Sequence, residues 1–133
     1  MVNKSKKILS EISAGELFDK ISILEIKLEK VKDKDSHKII EKEYKILKEA
    51  QELNIETTEK LKLLFIEIKK VNQSLWVIED KLRIYERDKN FGKEFVELAR
   101  AVYFNNDKRS KIKLEINNFL GSNIKEIKLY AKY

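Results

Sequence analysis

The sequence predicts an all-α protein, an antiparallel helical bundle built on a long hairpin of its third and fourth helices, and three observations carry that expectation. Proline is absent and glycine occurs only three times, so few positions would break a helix or form a tight strand connection. Charged residues make up 39% of the chain and hydrophobic residues 42%, which is the mixture of amphipathic helices and excludes an all-β fold. Apolar residues also recur at alternating steps of three and four, most regularly at Leu61, Leu64, Ile68, Val71, Leu75, Ile78, Leu82 and Tyr85.

Each helix can be placed from its caps and its apolar stripe. Ser13-Ala-Gly-Glu16 reads as a capping box, in which the serine hydroxyl accepts from the amide three residues on and Glu16 reaches back. The first helix then runs to about Val31, with Leu17, Ile21, Leu24, Leu28 and Val31 on one stripe and Ile23 and Ile26 widening its apolar face toward more than one neighbour. Asp33 to Ser36 supply a turn and an N-cap for a second helix ending near Leu53, where Ile39, Ile46 and Leu53 lie seven apart and Ile40 and Leu47 likewise. The third helix is expected from Thr58 to Arg87, about 45 Å at 1.5 Å per residue. Arg87-Asp-Lys-Asn-Phe-Gly-Lys93 reverses the chain, and the fourth helix should run from about Lys93 to Leu120, with Gly121 as its stop.

One domain spanning residues 1–133 is expected, since a chain of 133 residues needs no second core. Of its tails, residues 1–12 and 122–133, the stretches Lys6–Ile12 and Glu126–Tyr133 alternate apolar and polar residues with period two, so each is read as a candidate short terminal strand, the two pairing to tie the ends to the bundle.

Composition narrows the chemistry. No cysteine is present, which removes disulfides, thiolate metal sites and thiol nucleophiles. The single histidine, His37, falls at the exposed start of helix two and is a poor general base or ligand there. No cofactor is expected; a magnesium ion held by the neighbouring Glu79 and Asp80 is the weak exception, because adjacent helical residues point about 100° apart. The net charge of +6 comes from 29 basic residues interleaved with 23 acids, which reads as a solvated helical surface and not as a nucleic-acid stripe. Only Lys4, Lys6 and Lys7 cluster. With no signal-like leader and no run of about 18 apolar residues, neither secretion nor membrane insertion is expected and the protein reads as cytoplasmic.

The fourth helix carries the feature most informative about function. Taken in sevens, one seam position reads Phe95, Val102, Arg109, Ile116 and its partner reads Leu98, Asn105, Ile112, Phe119, so the apolar seam is interrupted by Asn105 and Arg109 with Asn106 beside them. A buried guanidinium or amide costs several kcal/mol unless it is paired. With Asn90 at the centre of the turn, residue i should face roughly 180 − i, which sets Asn72 across from Lys108 and Arg109 and Trp76 across from Phe104 and Asn105. Asn72, Trp76, Glu79, Arg83 and Glu86 follow a four-three rhythm and form a polar and aromatic stripe beside the apolar one.

The same register offers a purely structural alternative, with Asp80 facing Arg100, Arg83 facing Glu97, and Arg87 facing Lys93 and Glu94 in ordinary flanking ion pairs. Trp76 and Tyr103 can equally be core or interface anchors. Asp19 and Lys20 on helix one can be plain surface residues; if the Asp19 edge meets the polar stripe, Asp19 supplies the counter-charge for Arg109. The candidate ligand-binding residues are therefore Asp19, Lys20, Asn72, Trp76, Glu79, Arg83, Tyr103, Asn106 and Arg109.

Ser-x-Gly-Glu-Leu, an Asp-Lys pair, Ile-Leu-x-Ile-Lys, Asn-x-x-Leu-Trp-x-x-Glu-Asp-x-x-Arg, Leu-Ala-Arg-x-Val-Tyr-x-x-Asn-Asp-x-Arg and the terminal Tyr130-Ala-Lys-Tyr133 occur here in that order. Together they resemble a family of small uncharacterised proteins of bacteria and some of their phages, over nearly the whole chain except helix two. The matching positions include Ser13, Gly15, Glu16, Asp19, Lys20, Lys27, Asn72, Trp76, Glu79, Asp80, Arg83, Arg100, Tyr103, Asn106, Asp107 and Arg109. Leu129 departs from the pattern, where a small polar residue is expected. The resemblance implies no activity, but it does imply a setting near genes of surface-polysaccharide assembly.

Two functional readings follow. One is a non-catalytic helical module that assembles with itself as a homo-oligomer or with a larger protein partner. The other is a small binding protein or enzyme for a phosphorylated metabolite such as a nucleotide or nucleotide sugar. In the second, Arg109, Arg83 and Lys20 hold phosphate, Asn72 and Asn106 orient the ligand, and Glu79 serves as acid, base or magnesium ligand.

Overall fold

The computed structural model describes residues 6–133, which form four helices and no strand: α1 (Ala14–Lys30), α2 (Lys34–Asn54), α3 (Glu59–Arg87) and α4 (Lys93–Leu120). Lys4, part of the basic cluster, lies outside the described residues. Three of the four helices begin at a capping side chain. Ser13, Asp33 and Thr58 accept from the amides of Glu16, Ser36 and Leu61 at 3.2, 2.9 and 3.3 Å. Gly121, at φ 61°, turns the chain out of α4 in the left-handed conformation that glycine adopts without strain.

α3 and α4 form the expected hairpin. Near its open end the Lys60 ammonium lies 5.0 Å from the Phe119 ring centroid, and near the turn the Tyr85 hydroxyl donates to Glu94. Both pairs give one register, shifted by a single residue from the one expected. The arrangement of the other two helices is not that of a closed four-helix bundle. α1 packs against α2, α3 and α4 alike, whereas α2 packs on α1 alone.

That central position explains why α1 is apolar over so wide a face. Leu17, Phe18, Ile21, Leu24 and Ile26 are all buried, and Phe18 joins Leu61, Leu64 and Ile116 in a core cluster. Each such side chain contributes about 1.5–3 kcal/mol on removal from water. On α2 the two apolar rows separate: Ile40 and Leu47 are half-buried, whereas Ile39, Ile46 and Leu53 are 72, 57 and 76% exposed. Glu25 links three helices, accepting from Tyr44 of α2 at 3.1 Å and from Lys69 of α3 at 2.9 Å. The hydrogen bond to Glu25 raises the Lys69 ammonium above its ordinary pKa despite partial burial.

The start of α1 is fastened to the end of α4. Its first three amides each find a side-chain acceptor: Ala14 on Ser122 at 3.1 Å, Gly15 on Asn117 Oδ1 at 2.7 Å, and Glu16 on Ser13. Gly15 is required by proximity. A Cβ there would stand 2.4 Å from the backbone carbonyl oxygen of Lys113. The Glu16 carboxylate does not complete the capping box; it holds Lys113 Nζ at 2.6 Å.

The expected terminal strands do not form. A period-two pattern needs a sheet in which to bury its apolar half, and two short strands alone are marginal in water. Here Ile8 and Leu9 are both exposed, as are Ile127 and Leu129. Residues 122–133 instead run back along α4 without regular secondary structure. Glu126 reaches Lys113, and the Tyr133 hydroxyl donates to Asp107 while its ring packs 4.9 Å from that of Phe104 and 5.5 Å from that of Tyr103.

Candidate binding site at the α1, α3 and α4 junction

At the junction of α1, α3 and α4 the polar residues that interrupt the apolar seams meet one another. Asp19, fully buried on α1, faces Arg109 of α4. Its Oδ1 accepts from Arg109 Nε at 2.8 Å and its Oδ2 from Arg109 Nη2 at 2.5 Å, the bidentate geometry that suits a carboxylate to a guanidinium. Asn72 of α3 donates to the same Oδ1 at 2.9 Å and to Ser22 Oγ at 2.8 Å, and Ser22 in turn donates to the Asp19 carbonyl at 2.7 Å. Every enclosed side-chain nitrogen and oxygen among the described residues has a partner, which is the condition under which a buried charge pair is tolerated.

This network leaves defined hydrogen-bonding atoms on one side. A carboxylate can only accept here, so Asp19 fixes the Asn72 amide with both N–H groups turned inward, leaving Oδ1 without a protein partner among the described residues. Three of the five Arg109 N–H donors are engaged, two by Asp19 and one by Asn106 Oδ1 at 3.4 Å, which leaves one N–H on Nη1 and one on Nη2. The hydrogen bond from Asp19 raises the Arg109 pKa above its ordinary value, outweighing desolvation, so the guanidinium stays charged.

Beside the network is an open cavity of about 420 Å3. Ile23, Ile26, Leu75 and Trp76 give it an apolar wall, and Asn72, Glu79, Asp80, Arg83, Asn106 and Arg109 supply its polar groups. Its size falls within the range of small-molecule sites, and the combination of apolar wall with a few convergent polar groups is their usual composition. Glu79 is partly committed, since its Oε2 accepts from Arg83 Nη1 at 2.8 Å.

Of the nine residues singled out from sequence, Asn72, Trp76, Glu79, Arg83, Asn106 and Arg109 line this one cavity, and Asp19 lies directly behind it. Two stand apart. Lys20 is exposed and pairs with Glu16 at 3.7 Å, because it falls on the outer face of α1 next to inward-facing Asp19. Tyr103 belongs to the aromatic cluster with Phe104 and Tyr133. Asn105, although it interrupts the seam, donates to the Ala101 carbonyl at 2.8 Å and is satisfied within its own helix.

The flanking ion pairs expected across the hairpin do not form among the described residues. Arg83 and Arg87 pair within reach of their own backbone, with Glu79 and Asp88, and Arg100 lies 6.0 Å from the Phe104 ring centroid. Nor do three His, Cys, Asp or Glu side chains gather among the described residues as a metal site would require. His37 lies at the α1–α2 turn, its Nε2 3.2 Å from the Leu28 carbonyl oxygen.

Several residues of the junction were not singled out. Lys113 and Asn117 follow Arg109 at successive steps of four, a signal present in the sequence. Ser22 offered only a small polar residue between two isoleucines. Lys128 and Tyr130 approach Arg109 because the tail folds back along α4, which no local pattern announces.

Among the described residues, no helix is long and apolar enough to cross a membrane. No curated protein and no solved structure matches the chain. A family model described as a family of unknown function (DUF6165) matches residues 8–132, and the chain therefore belongs to that family.

Proposed function

We propose that this protein is a non-catalytic, cytoplasmic helical module that binds a polar, ring-bearing metabolite, such as a nucleotide or nucleotide sugar, in the cavity walled by Trp76. The observation that carries this reading is the convergence of unpartnered hydrogen-bonding atoms on one cavity beside an indole. Arg109 keeps one N–H on each of Nη1 and Nη2 to donate, Asn72 Oδ1 accepts, and Trp76 offers an apolar face against which a sugar or base can pack. Both polar groups are held from behind by Asp19, so little ordering remains to be done on binding.

The state of three of these groups supports binding over catalysis. Asp19 is enclosed and doubly engaged, Arg109 keeps its proton, and Glu79 is tied to Arg83. No thiol exists and the single histidine is elsewhere. Glycan-related ligands are favoured by the resemblance to proteins encoded near surface-polysaccharide genes.

The only tryptophan is in the cavity wall, so its fluorescence reads the site directly. Titration with a panel of nucleotides and nucleotide sugars should give a saturable change in emission with a matching rise in Tm, both lost in Asn106→Ala. A flat response across the panel removes this reading.

The exposed row Ile39, Ile46 and Leu53 supports a second reading, assembly with another copy or a larger protein through α2. Sedimentation velocity would show a concentration-dependent oligomer abolished by Ile46→Glu. A monomer at all concentrations, with no change in the variant, disposes of self-assembly.

A further inference from the structure

Asn106 and Arg109 have two open sides. Beyond them lies a second cavity, of about 450 Å3, to which Ser110, Lys113, Lys128 and Tyr130 contribute. Its character differs from that of the first. Where the Trp76 cavity has an apolar wall, this one is lined by polar groups: three cationic side chains, Arg109, Lys113 and Lys128, two carboxylates, Glu16 and Glu126, and the hydroxyls of Ser110 and Tyr130.

The anions already present are the protein's own. Glu16 holds Lys113 at 2.6 Å from within the folded helices. Glu126 comes from the tail, with Oε1 2.5 Å from Lys128 Nζ and Oε2 3.4 Å from Lys113 Nζ. The two carboxylates are not equivalent. Glu16 is anchored in the first turn of α1, whereas Glu126 sits on a segment without regular backbone hydrogen bonds, its side chain 45% exposed. Lys128 and then Lys113 lower the Glu126 pKa, as expected of a carboxylate occupying a cationic site.

We propose that this second cavity is the subsite for the phosphate group of the ligand, and that Glu126 occupies it as an internal carboxylate which the phosphate displaces. The inference rests on the proposed binding function: with the ring against Trp76, a phosphate a few bonds away passes Arg109 and reaches Lys113 and Lys128. Phosphate offers more acceptor oxygens and more charge than a carboxylate, and the hydroxyls of Ser110 and Tyr130 supply additional partners. Displacement releases the Glu126 end of the tail, so binding here is coupled to the position of residues 122–133.

The sign of one substitution separates this from a merely structural tether. Inorganic pyrophosphate, titrated calorimetrically into the full chain at low ionic strength, should bind Glu126→Gln about threefold or more tighter than wild type, because the competing charge is gone. Lys128→Met should bind more weakly by a similar factor. Unchanged or weaker binding by Glu126→Gln overturns the proposal, as does undetectable binding by both wild type and Glu126→Gln. Pyrophosphate carries no ring, so Trp76→Ala should bind it like wild type. Failure of the nucleotide-sugar panel would therefore count against the Trp76 cavity and leave the pyrophosphate ranking to judge this subsite on its own.

Discussion

Asp19 and Arg109, ninety residues apart in sequence, form a two-pronged ion pair in which the carboxylate is enclosed and the guanidinium remains about a third open to the surface. The asymmetry matters. The enclosed carboxylate depends on the guanidinium as its partner, while the guanidinium keeps donors available to something outside.

Removing only the guanidinium should therefore be severe. Arg109→Met leaves the enclosed Asp19 carboxylate with Asn72 as its remaining hydrogen-bond donor and the Lys113 ammonium, 3.9 Å away, as its remaining counter-charge, at a cost of about 3 kcal/mol. Urea unfolding of Asp19→Leu, Arg109→Met and the double variant tests the coupling. The double variant should recover at least half of the summed losses, and simple additivity would show that the two residues are not one energetic unit.

Gly15→Ala should destabilise although alanine is the better helix former by about 1 kcal/mol. The added methyl would meet the Lys113 carbonyl oxygen, a backbone atom that cannot swing away, and such overpacking typically costs about 1–3 kcal/mol net. Gly92→Ala is the control, since its nearest neighbour is the Asn90 side chain at 3.4 Å. Thermal melts should separate the two clearly; equal Tm values would mean that α1 does not approach α4 so closely.

Asn117→Ala should uncap the start of α1. The Gly15 amide loses its 2.7 Å acceptor in a buried setting, for an expected loss of about 1–2 kcal/mol. Hydrogen exchange should speed up at Gly15 and its neighbours while the α3–α4 hairpin keeps its protection. Uniform acceleration throughout the chain would point to a global loss instead.

Glu126 predicts an acid-dependent tail. Its folded pKa lies below its ordinary value of 4.5, so the tail contact is fully favourable above that value and fades as pH falls through the lowered one. Tyr130 and Tyr133 resonances should hold steady from neutral pH down to about 4.5 and then move toward those of an unanchored chain. Glu126→Gln should lack that step. A wild-type tail that leaves above pH 6 would contradict the assignment.

Much of the fold was legible because its signals are local. Ser13, Asp33 and Thr58 start helices through atoms three residues away, Gly121 ends one through its own φ, and the hairpin register follows from a short turn between two periodic seams. The candidate site was half legible for the same reason. A guanidinium and two amides in an apolar seam require partners, and Asn72 could be aligned with Arg109 by counting back from the turn.

What the sequence determined by itself is that the chain is helical, where its helices begin and end, and that something must answer the charge of Arg109. The tertiary structure decided the answer. Asp19 turns inward and Lys20 outward, α2 rests on α1 alone, and the tail folds along α4 as an irregular strap. Those outcomes depend on close approach between segments distant in sequence, and a repeating apolar pattern specifies which face is buried without specifying against which neighbour.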